Sequence, residues 1–184
     1  MEADFESWYT EARPRLHPAL AVWCGDADAA SEALDEAFTR ALERWERVST
    51  MDSPDGWVWR TAANHVRRTV RRRHRELEAL ASEPHTLSAR GTAAPPDPDL
   101  QRAILDLSPR QRTAIVLHYL ADLPTAEVAA VMEVAAGTVH ATLHQARARL
   151  ADSLRQPVPV PTVPPGELAT TVEAPTSDTG GDGR

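Results

Sequence analysis

Leu107-Ser-Pro-Arg-Gln-Arg112, Pro124-Thr-Ala-Glu-Val-Ala-Ala-Val-Met132 and Ala136-Gly-Thr-Val-His-Ala-Thr-Leu-His-Gln-Ala-Arg147 follow one another with short gaps. Each opens like a helix. Ser108 stands where a cap belongs, Pro109 occupies the first helical position, and Gln111 lies three places after the serine, as in a capping box. Ile115, Val116, Tyr119 and Leu120 then give that helix an apolar face. Thr125 is read as the cap of the second helix, with Glu127 in its first turn where the dipole favours an acid. Val128, Ala129 and Met132 form its inner stripe. After a short turn around Glu133–Ala135, a longer helix over Ala136–Leu154 turns Val139, Leu143, Ala146 and Leu150 inward. A short helix, a tight turn and a longer helix ending in arginines describe a helix-turn-helix, the longer helix being the one that enters a DNA groove. Its outward face carries Thr138, His140, Ala141, Thr142, Gln145 and Arg149. A plain helical hairpin would give the same pattern, so the rest of the chain has to decide.

Upstream, the pattern is again helical. Phe5, Trp8, Tyr9, Leu16, Leu20 and Val22 recur at loosely helical spacing until Gly25 and Asp26 break the run. Ser31–Val48 has a clearer stripe of Leu34, Ala37, Phe38, Ala41, Leu42, Trp45 and Val48 at steps of three and four. Glu36/Arg40 and Glu43/Arg47 are i,i+4 pairs in the favourable order. Ser49–Gly56 reads as a loop. Trp57–Arg75 resumes a helix with Trp59, Ala62, Ala63, Val66 and Val70 inward. Glu76–Asp99 loses periodicity, collects prolines and reads as a flexible linker. Gln156–Arg184 reads as a proline-rich, disordered tail. The expected fold class is all-α: domains over residues 1–75 and 100–155, a linker over 76–99 and a tail over 156–184.

Charge is distributed unevenly. The formal net charge of -7 would discourage a DNA-binding reading if it were uniform. Met1–Gly56, however, holds 13 acids against 5 Arg, whereas Trp57–Arg75 holds 7 Arg and no acid. One short helix therefore carries the basic surface that phosphate requires. The chain has no Lys, which fits a GC-rich genome. Charges scattered through the first twenty residues are unlike the apolar core of a secretory signal. With one cysteine, Cys24, no internal disulfide and no cysteine-based metal site is possible, and a reducing cytoplasm is expected. Cys24 reads as a small buried apolar group. His65, His74, His85, His118, His140 and His144 are scattered without ligand spacing. No nucleophile–base pair, paired buried carboxylates or glycine-rich phosphate loop is present, so neither catalysis nor a cofactor nor a metal is expected.

Two stretches resemble one known family. Leu107-Ser-Pro-Arg-Gln-Arg112, Thr125-Ala-Glu-Val-Ala-Ala130, Gly137-Thr-Val139 and Gln145-Ala-Arg147 look like region 4 of extracytoplasmic-function sigma factors, of actinobacterial type. Gly25-Asp-Ala-Asp-Ala-Ala-Ser-Glu-Ala-Leu-Asp-Glu-Ala-Phe38 is similar to region 2 of the same family. The match continues through Trp45 and Trp57–Arg73. The resemblance implies a subunit that binds core RNA polymerase, recognises promoter DNA and supports its melting, with an anti-sigma factor as a further candidate partner.

By resemblance, Glu32, Asp35, Glu36 and Arg40 grip the polymerase. Val48, Ser49, Thr50 and Met51 shape a pocket for a flipped base, and Trp57, Arg60, Asn64, Arg67, Arg68 and Arg71 follow the melted strand. Sheltering an unstacked base calls for apolar surface, and holding a strand calls for cations. Gly137, Thr138, His140, Ala141, Thr142, Gln145 and Arg149 face the upstream promoter element. The chain departs from the family at Ala135, where a capping serine is usual, and at His140, Ala141, Thr142 and Gln145, where basic or hydroxyl residues are usual. Fewer phosphate contacts imply weak autonomous DNA binding by this helix. A regulator acting without polymerase would account for the second domain alone; a degenerate sigma-like protein would dock without promoting transcription.

Overall fold

The computed structural model describes residues 2–80 and 97–155, all of its regular structure helical. Helix α1 (Glu2–Cys24) ends as the sequence signals: Gly25 adopts φ +76° and its N–H reaches the Ala21 carbonyl at 2.8 Å. Asp26 then caps α2 (Ala27–Glu43) by accepting the Ala29 N–H at 2.9 Å. α2 stops earlier than its stripe suggests. Arg44 breaks it, and Trp45–Val48 forms a separate single turn, α3. Two expectations fail here. Leu42, in the last turn of α2, projects into solvent, and no ion pair forms between Glu43 and Arg47, because the helix that would stack them one turn apart has ended.

Helix α4 (Pro54–Leu80) begins inside the expected loop and runs on into the expected linker. Pro54 suits a first turn, and the Ser53 hydroxyl accepts the Gly56 N–H at 3.0 Å, so the helix is capped at serine and only residues 49–53 remain loop. Trp59, Ala62, Ala63 and Val66 are buried as expected; Val70 is 53% exposed, since α4 outruns the bundle beyond Val66. Linker residues 81–96 and tail residues 156–184 lie outside the described residues.

In the second half, Asp97 caps α5 (Pro98–Leu105) through the N–H groups of Asp99 and Leu100. Ser108 caps α6 (Pro109–Ile115), but the reciprocal half of the capping box is not closed, for the buried Gln111 Oε1 has no partner. α6 continues into a widened turn over Val116–Leu120, where the Ala121 N–H reaches back five residues to the Val116 carbonyl. That widening rotates Tyr119 out of the expected inner face, leaving it 50% exposed. α7 (Thr125–Met132) is capped at Pro124, whose side chain can accept nothing, so Thr125 is its first residue and not its cap. α8 (Ala136–Arg155) buries Val139, Leu143 and Ala146.

The two halves do not hang apart. α1 packs against α5 and the widened turn, α4 lies against α7, and buried side chains from both halves form one continuous core. Polar bonds span the seam. Arg15 donates to the Ala121 carbonyl at 2.9 Å, and Trp23 Nε1 to Thr113 Oγ1 at 3.1 Å. Arg112 donates to the carbonyls of Trp23, Leu105 and Leu107, near the C-terminal ends of α1 and α5, where carbonyls lack helical partners. Burial lowers the Arg112 pKa from the ordinary arginine value, with Asp106 acting the other way.

Candidate nucleic-acid interface

α4 is anchored by Val58, Trp59, Ala62 and Val66, so residues about half a turn away must face out. Arg60, Asn64, Arg67, Arg68 and Arg71 are all exposed there, and steps of three and four place most of them along one face. Arg67 donates to Asn64 Oδ1 at 3.2 Å, and its guanidinium carbon lies 5.1 Å from the centre of the Trp23 ring, a cation–π distance. Trp57 is half-buried against the core. Basic side chains are thus lined up on a rigid support, beside aromatic surface.

The loop before α4 divides its expected residues. Val48 is fully buried and belongs to the core, so it cannot line an open base pocket. Its place at the end of the α2–α3 stripe, continuing the 34–37–41–45 series, is the signal for that burial. Ser49 and Thr50 are exposed and Met51 is half-buried. Thr50 Oγ1 donates to the Arg47 carbonyl at 2.9 Å, which steadies the turn.

On α8, the burial of Val139, Leu143 and Ala146 leaves Thr138, His140, Ala141, Gln145 and Arg149 exposed. Thr142 is half-buried, its hydroxyl donating to the Thr138 carbonyl at 2.7 Å. Gly137 has open space where a side chain would start. The face is accessible but sparsely charged.

On α2, Glu36 and Arg40 pair at 2.6 Å. Asp35 is taken by Arg13 of α1 at 3.0 Å, and that hydrogen bond is the main cause raising the Arg13 pKa. Glu32 stands 3.6 Å from His65 Nε2 of α4. Asp35, Glu36 and Arg40 are therefore already oriented by a neighbour, whereas Glu32 makes no hydrogen bond to His65.

Three residues make contacts at this surface that no local signal in the sequence reveals. Asp55, almost buried, accepts from Trp8 Nε1 at 2.7 Å and from Arg15 at 2.6 Å, fixing the start of α4 against α1. Glu127 of α7 accepts from Ser53, and Glu133 meets Arg60 at 3.2 Å. All of these are contacts between residues at least 40 positions apart.

No cluster of histidine, cysteine and carboxylates that could hold a metal occurs among the described residues. No helix among them is long and apolar enough to cross a membrane.

The family model for Sigma-70 region 2 matches residues 8–76, and that for Sigma-70, region 4 matches residues 98–150. The chain is 34% identical to the RNA polymerase sigma-E factor of Streptomyces coelicolor over 154 residues, 82% of this chain and 86% of the relative. It is 30% identical to the ECF RNA polymerase sigma factor EcfG of Rhodopseudomonas palustris over 142 residues, 76% of this chain and 78% of the relative. Among solved structures, the sigma factor RpoE in complex with the anti-sigma factor NepR from Bartonella quintana matches in fold, with TM-score 0.65 and 21% identity over 82% of this chain and 96% of that one. CnrH in complex with the cytosolic domain of CnrY does so with TM-score 0.57 and 20% identity, over 84% and 89%. The charged face of α4, the helix-turn-helix of α7 and α8, and both matched regions in order meet in one conclusion: the chain belongs to the extracytoplasmic-function branch of the sigma-70 family of RNA polymerase sigma factors, which act in transcription initiation.

Proposed function

We propose that α4 and the loop before it hold the melted promoter strand, that α8 reads the upstream element, and that the polar face of α2 docks on core polymerase. The observation carrying this reading is the exposed row Arg60, Asn64, Arg67, Arg68 and Arg71 on a helix whose opposite side is core. Cations fixed along one face can follow a backbone, and Trp57 and Met51 at its head offer surface against which a base can stack or shelter. α8 supplies few phosphate contacts, so it adds position more than affinity, and tethering through polymerase makes up the difference. Glu32, Asp35, Glu36 and Arg40 present a charged patch in which Arg13 holds Asp35, and Glu36 and Arg40 hold each other. The chain performs no chemistry of its own and acts in the cytoplasm, where polymerase forms the bonds. The fold likeness to sigma factors solved with anti-sigma factors supports an anti-sigma protein as a further partner.

Binding of the purified protein to bacterial core polymerase, followed by run-off transcription from sheared genomic DNA, tests the whole. Core binding with discrete new transcripts is the expected result. Binding without transcripts would leave a docking protein, and no binding would leave a helix-turn-helix regulator.

A further inference from the structure

The seam between the two halves reaches the head of the surface assigned above to the melted strand, while the rest of the row stays exposed. The Ser53 hydroxyl at the head of α4 donates to the Glu127 carboxylate, and Arg60, one turn on from Gly56, pairs with Glu133 at 3.2 Å. Between these helices Gly56 lies so close to α7 that an added Cβ would stand 2.7 Å from Val131 Cγ2. Farther along, Arg60, Asn64 and Arg67 face Arg110, Thr113 and Glu133 across a cleft of about 350 Å³. The row from Arg60 to Arg71 spans roughly 16 Å of helix. Arg68 and Arg71 do not line that cleft and remain exposed, so α7 engages only the head of the row.

Glu133 adds an independent observation. It ends α7 with φ 56°, the left-handed conformation in which glycine is favoured. Asp122 is left-handed too, but aspartate adopts that conformation routinely and glutamate does not. A strained residue is kept where its side chain has work to perform, and here the side chain reaches Arg60. Both α7 contacts place a carboxylate on a hydrogen-bond donor at the head of α4.

We propose that α7 is a built-in acidic competitor: in the free chain Glu127 and Glu133 hold Ser53 and Arg60 at the head of the strand-binding face of α4, and nucleic acid must displace them to engage that end. The proposal rests on the strand assignment of α4 made above. Both members of the Arg60–Glu133 pair are exposed, so the bond is weak and easily exchanged, as a competitor's must be.

Two measurements on the full chain test it: fluorescence anisotropy with a dye-labelled single-stranded oligonucleotide, and the radius of gyration by small-angle X-ray scattering. The variants are Glu127→Gln with Glu133→Gly, which removes the charges and relieves the left-handed strain, and separately Val131→Gln, which weakens the apolar part of the seam. Arg60→Ala checks the strand assignment alone. Thermal unfolding confirms that each variant is folded. The expected result is a larger radius for both seam variants, a roughly fivefold gain in oligonucleotide affinity for the double variant, and a loss for Arg60→Ala. Unchanged radius and affinity in both seam variants would overturn the competitor. A larger radius with unchanged affinity, and no loss for Arg60→Ala, would overturn the strand assignment and the competition with it, leaving the seam as a purely structural contact.

Discussion

Single side chains decide how the first half is held. Asp55 joins Trp8 of α1 to Arg15, which in turn reaches the Ala121 carbonyl, so one carboxylate ties three parts of the molecule together. Asp55→Ala is expected to lower stability by about 1.5–3 kcal/mol in denaturant titration, the range for hydrogen bonds to charged groups; Arg15 is partly solvated, which keeps the loss below that of a fully buried pair. An unchanged midpoint would mean that water replaces the network. Phe38 contacts Trp8 and Tyr9 edge-on, at 5.4 and 4.9 Å between ring centres. Phe38→Ala should destabilise by roughly 3–5 kcal/mol. Burial pushes the Cys24 thiol pKa up, and its Sγ lies 3.1 Å from the Asp26 carbonyl. Alkylation of the native protein should therefore stay slow through mildly alkaline pH and accelerate on unfolding; rapid modification at pH 8 would contradict this. Stability linked to Cys24 is fully present below the thiol's unfolded pKa and is lost as pH rises through its raised folded value. Phe38, Trp59 and Leu143 were legible as core from periodicity, because helical spacing alone tells inside from outside. Asp55 was not: an acid in a first turn usually answers the dipole, and nothing local reveals a tryptophan 47 positions away.

At the scale of elements, α4 combines two functions along its length. Its first three turns are bundle core on one side, and its arginine row lies on the other. Replacing Arg68 and Arg71 with Ala should weaken oligonucleotide binding and flatten the slope of log affinity against log salt by about 0.7 for each lost phosphate contact. Loss of affinity with an unchanged slope would mean that these side chains do not touch phosphate. Open-complex formation should fall more than core binding. Element existence and order were readable from stripes and caps; boundaries were not. Pro54 reads equally well as loop or first turn, and only the Ser53 cap settles it. Val70 satisfied the α4 stripe yet is exposed, since periodicity does not tell how far neighbouring helices extend. Tyr119 failed because a single widened turn shifts the face of every residue within it.

For the molecule as a whole, the sequence divides into two helical units, and both are present, but their mutual packing was invisible in it. Bonds such as Trp23 to Thr113 and Arg112 to the Trp23 carbonyl join residues about 90 apart, beyond any periodic signal. A shared core predicts one calorimetric unfolding transition for the free chain; two resolved transitions would show that the halves melt separately. The aromatic residues give this seam a property of a different kind. Trp8 and Trp45 stack at 4.8 Å within the first half, while Trp23, beside Trp59 at 6.0 Å, lies at the seam under Arg67 with its indole N–H bonded to Thr113. The indoles are thus sorted by position into an internal reference and a sensor. Parting the halves would hydrate Trp23 and withdraw its bond to Thr113, so the protein's own ultraviolet emission reports whether it is shut or open, with no dye attached.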